Sequence, residues 1–240
     1  MANQTPLHEF GRAGANAQPA AIDVGLRTYM LRVYNYMAGG LALTGAVAYV
    51  GAVSGFYTSI AGTPILWIVM LAPLAMVFFL SFRIQTMSLA TAQLSFWAYA
   101  GLVGLSLSGI FLVYTGESIA RVFFISAATF GATSLYGYTT RTDLSRFGSF
   151  LLMGLIGIVI ASLVNMFMAS SALQFAISII GVLLFTGLTA YDTQRIKDLY
   201  TAGEDNVLTG KKAIMGALTL DLDFLNLFLM LMQLFGNRRS

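Results

Sequence analysis

The chain has 240 residues, of which 58% are hydrophobic and 10% charged, where a soluble domain carries about a quarter charged. That balance excludes an ordinary soluble domain and reads as an all-α, polytopic membrane protein. A net charge of +3 offers no basis for binding nucleic acid, and the lack of cysteine excludes both a disulfide framework and a thiolate metal site.

Residues 1–20 (MANQTPLHEFGRAGANAQPA) are polar and rich in Gly and Ala, hold the one histidine, His8, and lack the apolar stretch of a signal peptide. They are expected to form a disordered cytoplasmic tail, leaving 21–240 as the transmembrane domain. From Ala21 the pattern turns helical. Leu26, Tyr29, Met30 and Val33 fall at i, i+3, i+4 and i+7 with Arg27 and Arg32 interspersed, the mark of an amphipathic lead-in lying at the headgroups. It runs into a first span over 34–53, where Gly51 and Gly55 have the small-xxx-small spacing of a close helix contact. A second span covers 65–82 and ends at Arg83, with Pro73 expected to kink it. Further spans are expected over 90–113, 119–138, 147–168, 173–191 with a polar extension to Lys197, and 214–235. Each is close to the roughly 20 apolar residues that a bilayer core requires.

With seven spans, Arg12, Arg27, Arg32, Arg83, Arg141, Arg146, Arg195, Lys197, Lys211 and Lys212 fall on one side of the membrane. Only Arg121, Arg238 and Arg239 fall on the other. The positive-inside bias then places the N-terminus in the cytoplasm and the C-terminus in the periplasm. A chain with no signal peptide and no organellar presequence suits a bacterial inner (plasma) membrane.

Acids in the last two spans carry the chemistry. Asp192 lies near the end of the sixth, and Asp221 and Asp223 lie near the middle of the seventh. An ionised carboxylate at bilayer depth costs roughly 2.5–3.5 kcal/mol, so such a group persists when it is paired, protonated or facing water, and it marks function by default. Counted from the loop that joins the two helices, Asp192 and Asp223 lie at similar depths, so a close pair is open to them. Such a pair holds one proton between two oxygens over a wide pH range. Asn226 shares a face with Asp223 and is placed to donate to it. Asp221 is roughly 200° round the helix from Asp223, which gives it a structural role or a second polar crevice. Thr189 and Arg195 share the face of Asp192, and Arg195 can neutralise it. Arg83 is either a snorkelling anchor or a counter-ion for Asp192. Asp143, in the loop TTRTDLSRFG with Arg141 and Arg146, suits a helix cap. Asn165 and Gln93 suit interhelical hydrogen bonds.

Several chemistries drop out. No span holds a histidine, so a Ser–His intramembrane protease and an intramembrane zinc protease each lack a required group. No Gly-rich phosphate loop is present, which argues against an ATP-driven pump. An intramembrane aspartyl protease also uses one Asp on each of two helices, and Tyr191–Asp192 resembles one of its motifs. The partner motif Gly-x-Gly-Asp is absent, because Leu220, Asp221 and Leu222 precede Asp223. The chain is therefore read as a non-enzyme with no cofactor, with an intramembrane aspartyl protease as the minor alternative.

The segments GLTAYDTQRIK (Gly187–Lys197) and GALTLDLDFLNLFLMLMQLFGN (Gly216–Asn237) resemble the signature of the Bax-inhibitor-like family of membrane proteins, in the bacterial branch of YccA- and YbhL-type proteins. Support extends upstream in SLYGYTTRTDLSRFG, LIGIVIASLVNMF and TYMLRVYNYMAGGLALTG. The resemblance implies a seven-helix fold with the last helix central. It also implies a proton-sharing aspartate pair, matching Asp192 and Asp223, that gates a pH-sensitive calcium leak, and a second-helix arginine, matching Arg83, that latches onto the sixth-helix acid. Transient calcium at Asp192 and Asp223 follows from that implication. Asp221 departs from the pattern, which has an aromatic residue there, often Tyr; an extra acid adds negative field beside the path. The rival expectation is a non-transporting regulator that binds a membrane protease or another membrane complex.

Overall fold

The computed structural model describes residues 9–239, with side chains over 24–239. The helices run in the order α1 (Glu9–Val53), α2 (Phe56–Ile60), α3 (Pro64–Arg83), α4 (Leu89–Leu107), α5 (Ile110–Val113), α6 (Gly116–Thr139), α7 (Gly148–Met168), α8 (Ser171–Asp198) and α9 (Asn206–Phe235). Seven stretches are long and apolar enough to cross a membrane: Val24–Val53, Pro64–Arg83, Leu89–Val113, Gly116–Thr139, Leu144–Met168, Ser171–Asp198 and Asn206–Phe235. The protein is thus an all-α polytopic membrane protein. Of the tail expected over 1–20, residues 1–8 lie outside the described residues, and α1 starts at Glu9 rather than near Ala21.

Local chemistry sets the helix ends. Pro64 opens α3 at a position where a missing N–H costs nothing. Ser88, Thr115 and Ser170 cap α4, α6 and α8 by accepting from the N–H groups of Thr91, Ser118 and Leu173. Gly55, at φ 75°, turns the chain out of α1. Of the small-residue pair expected to make a helix contact, only Gly51 does so: a Cβ there would lie 2.3 Å from the Ser108 hydroxyl, while Gly55 is already in the turn. Helix α3 runs on through Pro73.

Hydrophobicity does not drive helices together in lipid; close packing and interhelical hydrogen bonds do. Helix α9 is the centre of that packing. It lies against α8, α1, α6 and α4 and touches α3, and 67% of its most apolar stretch is buried, against 6% for α3 and 11% for α7. Helix α7 rests on α8 at the periphery and turns Phe150, Met153 and Phe167 outward. Helices α6 and α8 approach until a Cβ on Gly137 would stand 2.2 Å from the Ala190 carbonyl oxygen. The expected lead-in at the headgroups is corrected here. Its stripe Tyr29, Met30 and Val33 is buried within the protein, because that side of α1 packs against neighbouring helices, α9 among them. Gln93 donates to the Tyr36 hydroxyl at 2.6 Å, tying α4 to α1 as its polarity requires. Asn165 donates to Gln174 at 2.9 Å, tying α7 to α8, and Gln174 and Ser178 both donate to Gln233 of α9.

Beyond α9 the chain folds back. Arg239 donates its N–H to Val113, Thr115 donates to Asn237, and Asn237 donates to the Ser118 hydroxyl. This forms an isolated antiparallel bridge between Tyr114 and Arg238.

Candidate functional site

Helices α8 and α9 form the most extensive interhelical contact in the molecule, and each places one acid in it. Asp192 is 9% exposed and Asp223 6%, and their carboxyl groups lie within hydrogen-bonding reach of each other. An ionised carboxylate only accepts, so a bond between two of them needs a proton on one. The second Asp223 oxygen, Oδ2, is buried with no hydrogen-bond partner. The two acids expected to share a depth therefore meet.

The pair has an open and a closed side. Asp192 and Arg195 line a crevice of about 400 Å³ between α7 and α8, with Gly148, Ser149 and Tyr191. Arg195 is exposed and is the cation whose charge acts on Asp192. The crevice rim is held by Gln194, which accepts from the Leu144 N–H at 2.8 Å and donates to the Thr142 carbonyl at 2.9 Å. Asp143 caps the same loop by accepting from the Ser145 O–H and N–H, and those bonds hold its carboxyl below the usual carboxylate range. On the far side, Phe224 follows Asp223 and meets Phe123 and Phe130 edge to face, with centroids 5.5 and 5.7 Å apart. Phe123 also meets Phe228, one turn further along α9.

Asp221 faces away, as its position on the helix predicts. It is 0% exposed, accepts from the Tyr99 hydroxyl of α4 at 3.1 Å through Oδ2, and leaves Oδ1 without a partner. A Cβ on Gly40 of α1 would lie 3.6 Å from that oxygen. Two expectations do not hold. Asn226 donates to the Leu222 carbonyl of its own helix at 2.8 Å, since a carbonyl one turn back is its nearest acceptor, and does not serve Asp223. Arg83 is exposed at the end of α3, a helix that does not pack on α8; the one ion pair among the described residues joins Lys212 and Glu204 at 2.7 Å. Tyr99, Gln194 and the phenylalanine cluster escaped the sequence reading. A tyrosine in the third span offers a donor, but nothing local says which acid receives it.

Fold and site together define an integral membrane protein of seven spans whose central helix carries a buried acid in contact with an acid of its neighbour. The family described as inhibitor of apoptosis-promoting Bax1 matches residues 26–240, and the chain belongs to this Bax-inhibitor-like family. Relatives include the inner membrane protein YbhL of Escherichia coli, 48% identical over 240 residues that cover 97% of this chain and all of the relative (100%). Protein RP147 of Rickettsia prowazekii is 53% identical over 219 residues, 91% of this chain and 93% of its own length. Membrane protein SpyM3_0260 of Streptococcus pyogenes is 34% identical over 218 residues, 89% and 94%.

Proposed function

We propose that this protein is a pH-sensitive cation leak of a bacterial inner membrane, with calcium the ion it passes and the Asp192–Asp223 pair its gate. The contact between those two carboxyls, buried at the most extensive helix interface, carries the reading. With one proton shared, the pair hydrogen-bonds and ties α8 to α9. As pH rises the proton leaves, two carboxylates repel, and the helices part. The crevice beside Asp192 supplies access from the loop side, and the phenylalanines beyond Asp223 form an apolar constriction that blocks ions until it wets. Among the described residues no three His, Cys, Asp or Glu side chains come together. Calcium, which takes six to eight oxygens, therefore keeps most of its water while it passes the two carboxylates. The excess of arginine and lysine at the crevice end supports a cytoplasmic position for that end and for the N-terminus.

The test is calcium-indicator flux in liposomes holding the purified protein, scanned from about pH 5 to 8, where a carboxyl pair sharing a proton titrates. Flux should rise with pH and lose that dependence in the double variant Asp192→Asn, Asp223→Asn. An unchanged pH profile in that variant refutes the gate. Absence of flux at every pH in the unaltered protein refutes the leak and favours the non-transporting regulator.

A further inference from the structure

Away from the carboxyl pair, a cavity of about 660 Å³ opens between α1 and α6. Its walls are apolar, from Met30, Leu31, Phe130 and Leu135, and Arg27 and Tyr138 also line it. Arg27 lies in the first turn of the span Val24–Val53, and Tyr138 in the last turn of Gly116–Thr139, so both stand at the headgroup end. From Tyr138 to Phe130 the slot runs about 12 Å into the hydrocarbon layer. At its inner wall the Tyr34 hydroxyl meets Ser134 at 2.7 Å, and Ser134 meets Thr193 of α8 at 2.9 Å. Behind Tyr138, the Lys197 amine lies 5.9 Å from the centre of the Tyr138 ring and donates to the Tyr138 carbonyl at 3.0 Å.

We propose that this slot holds one acyl chain of an anionic phospholipid, with the lipid phosphate on Arg27. Apolar walls at hydrocarbon depth below a guanidinium at headgroup depth are the outline of an anionic amphiphile. A guanidinium matches a phosphate oxygen pair in geometry as well as charge. A zwitterionic lipid brings its own cation to the rim beside Arg27, and so gains less. The occupant packs against the wall that carries the Tyr34–Ser134–Thr193 hydroxyl chain, which joins α1, α6 and α8 one residue away from Asp192.

Native mass spectrometry of the full-length, delipidated protein, titrated with phosphatidylglycerol or phosphatidylcholine, tests the slot. One basic side chain near a membrane surface is worth about 1 kcal/mol, so phosphatidylglycerol should be retained about fivefold more than phosphatidylcholine. Arg27→Gln should bring that ratio to about one by removing this contribution. Gly131→Phe should abolish the retained adduct. Gly131 lines the slot and a Cβ there meets nothing within 4 Å, so the new side chain starts in open space and its ring occupies the slot. Leu135→Trp is a second filler and should act alike. Equal retention of the two lipids by the unaltered protein overturns the headgroup assignment. Adducts that survive both fillers overturn the slot.

Discussion

Replacing Tyr99 by phenylalanine removes one oxygen and nothing else from the interface of α4 with α9. Among the described residues that oxygen donates the only hydrogen bond made to the carboxyl of Asp221, a residue with 0% exposure whose Oδ1 lacks a partner. An ordinary interhelical hydrogen bond in a membrane is worth about 0.6 kcal/mol. Stripping a buried acid of its last donor exacts the desolvation penalty instead, about 1–3 kcal/mol, and among the described residues no lysine or arginine acts on Asp221 to offset it. The larger figure should win, because water does not reach this site. Reversible unfolding in mixed micelles, followed by circular dichroism, measures the loss. Tyr99→Phe should cost about 1–3 kcal/mol in the unaltered protein but under about 0.5 kcal/mol in an Asp221→Leu background, where no acid is left stranded. Equal costs in the two backgrounds would show that the hydroxyl does not serve Asp221, and the reasoning would fail.

Two further outcomes follow from packing and capping. Gly137→Ala sets a methyl group 2.2 Å from the Ala190 carbonyl oxygen, so α6 must back away from α8; overpacking of this kind costs about 1–3 kcal/mol, and a Gly131→Ala control, in open space, should cost far less. Unfolding of the two variants side by side checks the contrast, and equal losses would refute it. The carboxyl of Asp143 is held below its usual range by Ser145, so its contribution is fully present above the unfolded value of about 3.9 and is lost as pH falls through the lower folded value. Amide exchange over 141–147, corrected for its intrinsic pH dependence, should therefore lose protection only below about pH 4, and Asp143→Asn should flatten that profile.

The span pattern was legible because a bilayer demands about 20 apolar residues, and the Asp192–Asp223 contact was legible because acids in lipid are costly enough to need a partner. Partners on distant helices were not. Tyr99 and Asp221 are 122 residues apart in the chain, and their pairing depends on how α4 turns toward α9, which no local period encodes. The stripe on the first helix was misread for a related reason: an apolar face beside arginines has the same period whether it meets headgroups or protein, and only the position of α9 decides. Asn226 shows a third limit. A side chain with its own helix carbonyl in reach satisfies itself first, so sharing a face with an acid did not become a bond to it. Arg83 is exposed at the end of a helix that does not pack on α8, and the cation that acts on Asp192 is Arg195.

The acids on opposite sides of α9 restrict how the molecule can move. Turning α9 about its axis to pull Asp223 from Asp192 would also tear Asp221 from Tyr99, with Gly40 crowding the same side. Helix α9 is in that sense an axle fixed to α4 and α1, and under the proposed gating, separation of the acid pair falls to α8. Its outer companion is α7, with only 11% of its apolar stretch buried, and lipid yields where protein does not. In the proposed opening α7 and α8 would swing together, against the close α6 contact at Gly137, and the loop clamped by Gln194 would travel with them.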